Sequence, residues 1–528
     1  MKKILVSDKL ADDGINYLNE QSDIQVHIQV GMNEDELCEI IGDYDALLIR
    51  SDTKVTKRVL QAATNLKVVG RAGIGVDNVD IPAATEQGVI VMNTPDANAT
   101  TTAELAIAHM FSLSRNLPEA SQSVRAGKWE RSKLVGAEIT HKTFAILGFG
   151  TIGRLAAKRA CGLGMRVIAY DPFVTPEIFD DCGAESVDLD TLIKQADYLT
   201  LHCPMMDKTR GIIGAEQLAA MKKTAMIINC ARGGLIDEAA LYDALKNGEI
   251  AGAALDVYEQ EPPKESPLFE LDNIVFTPHL GASTREAQVA VSVEIAIQAV
   301  TYLKTGEAIN ALNLSTKISA EELKKSRQFM MLAKVMGKML VNLADNPIEK
   351  LEVALYGKAA EVEVRPISVE ALVGVLADQF SSPVNSVNAE SIAKRQGIAL
   401  IESKTEKTEG YVSVVKLVGV CADKTVSVVG TLLGDRHARI VSVNQFEIEV
   451  VPEGTLLITE HNDKPGVISA ISSILGESNI NISRMQVGIP DSNDKAMAVI
   501  SVSSPLPDDI LEKVRALSFV NSAIQINL

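Results

Sequence analysis

Positive charge, cysteine and tryptophan are all scarce in this chain, and each shortage narrows what it can be. Lys and Arg number 51 against 69 Asp and Glu, a formal charge of −18 at neutral pH. Such a balance argues against nucleic acid or an anionic membrane as the main partner, and an anionic substrate would have to meet a local cluster of arginines. The six cysteines (Cys38, Cys161, Cys182, Cys203, Cys230 and Cys421) form no C-x-x-C and no paired spacing. That points to reduced thiols in a cytoplasm and away from a bound metal. There is one Trp, and no apolar run reaches the ~18–20 residues a membrane span needs. The opening Met1-Lys2-Lys3-Ile4-Leu5-Val6-Ser7-Asp8 enters a strand at once and lacks the apolar core and cleavage site of a signal peptide. Internal repeats and low-complexity tracts are missing as well.

What is present is ordinary globular material, 46% hydrophobic and 23% charged. A chain of 528 residues exceeds one core, and about three or four domains are expected. Up to about Pro95, apolar runs at 4–7, 24–28, 46–49, 68–70 and 89–92 alternate with helical stretches, which implies a parallel sheet covered on both faces. A second alternating series runs from Thr143 to Phe276. Long helical patterns at 99–116 and 284–305 bracket it and could carry the chain into the second unit and back. A cleft between two such units is the default small-molecule site. Beyond Asn313, a helix at 319–342 and strand-like runs at 350–356, 410–417, 425–432 and 440–450 suggest an α+β domain. From Pro452 to Leu528 the order is strand 455–459, helix 465–477, strands 482–487 and 496–502, helix 508–517 and strand 521–526. That order is the ferredoxin-like plait.

The densest signal lies between Phe144 and Asp171. A short apolar strand, Phe144-Ala145-Ile146-Leu147, runs into Gly148-Phe149-Gly150-Thr151-Ile152-Gly153, then a helical stretch, then a second strand ending at Asp171. In G-x-G-x-x-G, Gly148 permits a tight turn, Gly150 lets the backbone approach a pyrophosphate, and Gly153 lets the helix pack against the strand. The helix N-terminus offers free N–H groups to the phosphates. Asp171 can accept both ribose hydroxyls and would repel a 2′-phosphate, so the reading is NAD rather than NADP.

Polar residues at later strand ends suggest the reaction. Arg232 follows one buried strand, Glu261 enters a turn after the next, and His279 stands in the loop after the third. A surface arginine, a solvated acid and a capping histidine would each look the same alone. Three of them on successive strand ends of one nucleotide-binding sheet suit oxidation of a 2-hydroxy acid. His279 would take the hydroxyl proton, Glu261 would hold its far ring nitrogen, and Arg232 would present a planar fork to the carboxylate.

At these residues the chain resembles the D-isomer-specific 2-hydroxyacid dehydrogenases, over roughly residues 1–313. The resemblance also rests on Arg71-Ala72-Gly73-Ile74-Gly75-Val76-Asp77-Asn78-Val79-Asp80, Met92-Asn93-Thr94-Pro95 and Thr102-Ala103-Glu104-Leu105. With Gly127-Lys128-Trp129-Glu130-Arg131 added, it is most similar to the branch that oxidises D-3-phosphoglycerate to 3-phosphohydroxypyruvate, the first step toward serine. The resemblance implies an α/β architecture of two doubly wound parallel-sheet domains. These are a flavodoxin-like substrate domain (1–97 and 286–313) and a Rossmann NAD domain (98–285), followed by an intervening α+β domain (314–451) and a ferredoxin-like ACT domain (452–528). It implies Arg232, Glu261 and His279 as the catalytic set. Thr151, Ile152, Asp171, Cys203, Cys230, Ala231, Arg232, Asp256, His279, Leu280, Gly281 and Ala282 would contact NAD. Asn98 and the loop with Gly73 and Ile74 would contact substrate, and Arg50, Arg71 and Arg131 are the cations for its phosphate. Some relatives carry Thr or Ser where Ile74 stands, so only its backbone can donate.

In the last domain, Glu460-His461-Asn462-Asp463-Lys464-Pro465-Gly466-Val467 resembles the ligand loop of ACT domains, with Pro465 as the first helical residue. The resemblance implies L-serine as an effector, with His461 in the loop pattern, Asp463 for an ammonium and Asn481 for a carboxylate from a paired subunit. A plain dimerisation module is the alternative. Residues 434–439 place Arg436, His437 and Arg439 on an expected hairpin, a candidate anion site or a solvated turn. A homo-oligomer, with a tetramer as the default, would form through helix 99–116 and ACT pairing. Two rivals stay open: a dehydrogenase of unphosphorylated glycerate or hydroxypyruvate, and an NADH-sensing scaffold that keeps the same Arg/Glu/His set.

Overall fold

The apolar runs at the start of the chain become five parallel strands, in spatial order Ile24–Ile28, Lys2–Val6, Ala46–Ile49, Val68–Arg71 and Ile90–Asn93. The structure is a computed structural model and describes residues 1–314, 320–377, 379–380, 383–407, 410–434, 436–490 and 494–528. This 2-1-3-4-5 order is flavodoxin-like. Ala46–Ile49 and Ile90–Asn93 are buried along their whole length, as strands covered on both faces must be, so they read as continuous apolar runs. The second sheet has seven parallel strands, ordered Ile274–Phe276, Gly252–Leu255, Met226–Asn229, Tyr198–Leu201, Thr143–Leu147, Arg166–Tyr170 and Glu185–Ser186. The six strands that come first in the chain, Thr143–Leu147 to Gly252–Leu255, follow the Rossmann order, with the crevice beside Thr143–Leu147.

Helices Ala99–Arg115 and Arg285–Thr305 carry the chain between the two sheets. The second is capped by Thr284, whose hydroxyl accepts from the Ala287 N–H at 3.2 Å, and it lies on helix Asp12–Asn19 of the first unit. There the Ala11 N–H donates to Ser292 Oγ at 3.0 Å. The chain then runs beside the first sheet, where the Leu312 N–H donates to Val91 O at 2.9 Å. The Asn313 side chain accepts from the Val91 N–H and donates to Val89 O, both at 2.9 Å.

The third unit is a mixed six-stranded sheet, ordered Ala399–Thr405, Lys350–Gly357, Ser413–Val420, Thr425–Leu433, His437–Val443 and Phe446–Val450. Helices Ala320–Ala344 and Val364–Leu376 pack together against it. Sequence patterning misses Val364–Leu376, Ala389–Arg395 and the edge strand Ala399–Thr405, and merges His437–Val443 with Phe446–Val450. Val364–Leu376 is buried on nearly every side, so it has no polar face to give a helical period. The two merged strands are separated by a tight turn at Asn444, which has φ +51°.

The last four strands, ordered Ile482–Gly488, Lys495–Val502, Thr455–Asn462 and Val520–Asn527, form the expected plait with helices Val467–Glu477 and Asp508–Arg515. Pro465 is not the first helical residue. The helix starts at Val467, because Gly466 holds the left-handed N-cap position at φ +94°. Among the described residues, no helix is long and apolar enough to cross a membrane.

Candidate active site

The nucleotide cradle is built at the C-terminal end of Thr143–Leu147. Gly148 has φ +95°, and a side chain there would crowd the Cys203 N–H on the adjacent strand end. Gly153 packs so closely on Gly148 O that a Cβ would collide with it, whereas Gly150 faces open space. Helix Thr151–Gly162 starts at Gly150 without a side-chain cap, leaving its first N–H groups available to a phosphate. Asp171 accepts from the Phe149 N–H at 2.8 Å with one oxygen and from the Phe173 N–H at 2.9 Å with the other. Each oxygen keeps a lone pair for a ribose hydroxyl, so these residues fit a dinucleotide.

Two adjoining clefts lie between the first two units. The inner one, about 520 Å³, is lined by residues 150–152, Cys203, 230–232, His279, Gly281 and Ala282 on one side and by Arg71, Ile74 and Asn98 on the other. The outer one, about 710 Å³, shares Arg71, Asp77, Arg232 and His279 with it and adds Glu261. His279 Nδ1 lies 2.7 Å from Glu261 Oε2, and the other Glu261 oxygen accepts from the Tyr258 N–H at 3.2 Å. Burial works to raise the Glu261 carboxyl. The His279 contact, the Tyr258 N–H and the Arg232 charge outweigh it and hold the group below the usual carboxylate range.

Arg232 donates from Nε to Asp77 at 2.8 Å and from Nη1 to Ala231 O at 2.6 Å. The Asn229 side chain donates to Arg232 O at 2.9 Å and accepts from the Ala231 N–H at 3.0 Å, clamping the turn that carries the guanidinium. Asp256 is fully buried beneath the His279 loop. It accepts from the Leu280 N–H at 2.6 Å, the Gly281 N–H at 2.8 Å and the Thr277 hydroxyl at 2.6 Å.

Among the described residues, several polar groups on the cleft walls have no protein partner. Arg71 Nε and Asn98 Oδ1 are buried without one. Burial, then the nearby Arg232 and Arg50 charges, push Arg71 down to about 10. A cation so placed is stabilised by an anionic ligand. His202 also lines the inner cleft, with Nδ1 buried and unpartnered, and burial pushes it down to about 4. Sequence reasoning misses His202, Asp77 and Asn229. His202 directly follows strand Tyr198–Leu201, so the strand-end rule that singles out Arg232 would have found it.

Other predicted residues stand apart. Arg50 donates to Lys9 O at 3.4 Å and lines neither cleft. Arg131 is exposed on the segment after helix Leu117–Arg125, outside both. In the last unit, Asp463 and Asn481 are exposed, on the loop after Thr455–Asn462 and just before Ile482–Gly488. His461 is inside the strand and buried, and burial lowers its pKa against Thr459 and Asp463. Arg439 points to Glu449 at 3.6 Å rather than toward Arg436, and Asp435 lies outside the described residues.

Family models match in three places: the D-isomer specific 2-hydroxyacid dehydrogenase NAD binding domain at residues 107–281, the D-3-phosphoglycerate dehydrogenase intervening domain at 325–444 and the ACT domain at 455–519. The D-3-phosphoglycerate dehydrogenase of Methanocaldococcus jannaschii is 41% identical over the whole of both chains. That of Synechocystis is 42% identical over all of this chain and 95% of its own. The chain belongs to the D-3-phosphoglycerate dehydrogenase family. It is thus an NAD-dependent oxidoreductase with a Rossmann domain and an ACT domain. The dehydrogenase part of this family member is also similar to a glyoxylate reductase from Paecilomyes thermophila, with 32% identity and a TM-score of 0.54 over 59% of this chain and 98% of that one.

Proposed function

We propose that this chain oxidises D-3-phosphoglycerate to 3-phosphohydroxypyruvate, with Arg232, Glu261 and His279 as its catalytic residues. The observation that carries the reading is the 2.7 Å His279–Glu261 pair, set at the junction of two clefts beside Arg232 and the unpartnered Arg71. His279, its Nδ1 engaged by Glu261, keeps Nε2 for the substrate hydroxyl proton, and the carboxylate opposite the ring stabilises the imidazolium that forms. Arg232 takes the substrate carboxylate and polarises the reacting oxygen, with Arg71 as a cation for the phosphate. NAD, when bound, accepts the hydride. Its contacts would come from the glycine loop, Asp171, Cys203 and residues 230–232 and 279–282, with Asp256 holding the last loop in place.

Substrate contacts would come from Arg71, the Gly73–Ile74 backbone and Asn98. Arg50 would act from behind, and Arg131 enters only if a second copy brings it to the cleft. The unit boundaries follow this reading: 1–97 with 286–313, 98–285, 314–451 and 452–528. L-serine is the proposed effector, bound by Asp463 and Asn481 between paired ACT units with His461 supporting the strand beneath. A cytoplasmic homotetramer completes the reading; all six cysteines are free thiols, as a reducing compartment would keep them.

The test is the initial rate of NADH formation from 3-phosphoglycerate, with and without L-serine, in the wild type and His279→Ala. Turnover should fall by about 10²–10⁴-fold in the variant, the range for loss of a general base, and serine should slow the wild type. Faster turnover of unphosphorylated hydroxypyruvate than of its phosphate would favour the glycerate-type rival.

A further inference from the structure

We propose that His109 is a positioning residue that holds His279 in its working place through Thr277 and Asp256, an inference that rests on the reading of His279 as the base. His279 stands at φ +54°, a left-handed conformation that a residue with a side chain keeps only where its surroundings enforce it. The enforcement comes from a set of hydrogen bonds that reaches back to helix Ala99–Arg115.

His109 lies on that helix and is 3% exposed. Its Nε2 is 3.1 Å from the Thr277 hydroxyl, which donates its hydrogen to Asp256 at 2.6 Å. The hydroxyl oxygen therefore accepts from the ring, so His109 carries a hydrogen on Nε2. Burial, against the pull of Asp256, pushes the imidazole below its usual range, which leaves a neutral ring with one N–H to give.

Asp256 is fully buried, and both of its oxygens are committed to the loop that carries His279. Oδ1 takes the Leu280 N–H together with the Thr277 hydroxyl, and Oδ2 takes the Gly281 N–H. The backbone oxygen of Asp256 takes the His279 N–H at 2.9 Å. Three consecutive N–H groups thus converge on one residue, and the orientation of its carboxylate sets the loop. The chain from His109 through Thr277 fixes that orientation from the far side.

The same helix grips the loop twice more. The Thr102 hydroxyl donates to Gly281 O at 2.9 Å, and the Thr101 and Thr284 hydroxyls lie 3.2 Å apart. The hold through His109 differs from these in ending on the carboxylate. The helix is preceded directly by Asn98, whose Oδ1 is buried and unpartnered on the cleft wall. One element therefore sets the base relative to a proposed substrate contact.

The experiment measures kcat and KM for 3-phosphoglycerate with NAD in full-length wild type, His109→Leu and His109→Gln. Leu keeps the apolar volume and loses the donor, while Gln places an amide N–H near the position of Nε2. His109→Leu should lower kcat by about tenfold, the scale of one buried hydrogen bond. KM should change little because the substrate contacts are untouched, and His109→Gln should recover most of the loss. Thr277→Val breaks the chain at its next link, so it should lower kcat by a similar factor and add little in the His109→Leu background. If His109→Leu does not fold, judged by circular dichroism, the loss of kcat in Thr277→Val carries the test. An unchanged kcat in His109→Leu, or in Thr277→Val in its place, overturns this proposal alone. Equal losses in the Leu and Gln variants, or losses that simply add, overturn it too. A His279→Ala enzyme with wild-type turnover overturns the reading of the base and this proposal with it.

Discussion

Arg232, the residue proposed to take the substrate carboxylate, is set in place by residues for which no chemistry is proposed. Asp77 fixes Nε, Ala231 O fixes Nη1, Asn229 clamps the turn beneath, and Gly75 leaves room where a Cβ would collide with Nη2. Gly75→Ala should therefore displace the guanidinium and lower kcat/KM by about ten- to hundredfold, as misplacement of a bidentate contact does. NADH affinity, read by fluorescence titration, should fall far less than kcat/KM because the glycine loop and Asp171 are untouched. Unchanged kinetics would mean that Arg232 works from another position. Arg232, Glu261 and His279 are legible in the sequence because each stands within a few residues of the end of a strand. Asp77 sits 155 residues from the arginine it holds, and no local pattern reports such a pairing.

Among the elements, the two parallel sheets share one device. Asp45, just before strand Ala46–Ile49, accepts from the Lys3 N–H at 2.9 Å and pairs with Lys2 and Lys67. Asp197, just before Tyr198–Leu201, accepts from the Thr143 N–H at 2.8 Å and pairs with Lys222. Each acid thus locks the start of its own strand to the start of a neighbour. Burial works to raise both carboxyls, but the N–H and lysine partners prevail and hold them below the usual range. A depressed folded pKa means stability that is present above the unfolded value, about 4, and lost as pH falls through the folded one. Asp197→Asn should therefore unfold at lower denaturant than wild type at neutral pH, and the gap should close as pH drops below about 4. A gap that is independent of pH would mean the ionised carboxylate is not what stabilises the strand start. Strand positions in these sheets are legible because buried parallel strands are continuous apolar runs. Helix Val364–Leu376 is not, because an element wrapped on all sides carries no periodic signal.

On the scale of the whole molecule, the third and fourth units are a single folding problem. Leu456, Ile458, Met497, Val499 and Ile526 of the ACT sheet share one hydrophobic core with Phe329, Leu332, Met336 and Val450 of the intervening unit. The intervening unit is in turn latched to the first unit. The Asn385 side chain donates to Gly88 O at 2.8 Å, and Arg395 lies 3.9 Å from Glu86. Gly88 directly precedes the buried Val89 and strand Ile90–Asn93, whose Asn93 side chain donates to Ile74 O on the cleft wall at 2.6 Å. Removing residues 452–528 should expose the shared core, so the truncated chain should aggregate or lose the cooperative unfolding of its third unit. A soluble truncation with an unchanged melting profile would show that the two units fold independently. For the same reason, serine binding belongs on the full chain.

The sequence by itself determined the order of elements in the two parallel sheets and in the plait, the dinucleotide loop and the three strand-end groups of the proposed active site. All of these are written in local periodicity, glycine spacing and position after a buried run. Tertiary structure alone decided that Arg50 and Arg131 stand outside the clefts that Arg71 lines, and that Asp77 and Asn229 hold Arg232. It also decided that the ACT sheet has no core separate from its neighbour on one face. Each of these is a contact between residues far apart in the chain. Which charges meet and which surfaces are covered depends on how finished elements pack, and short-range sequence carries no record of that.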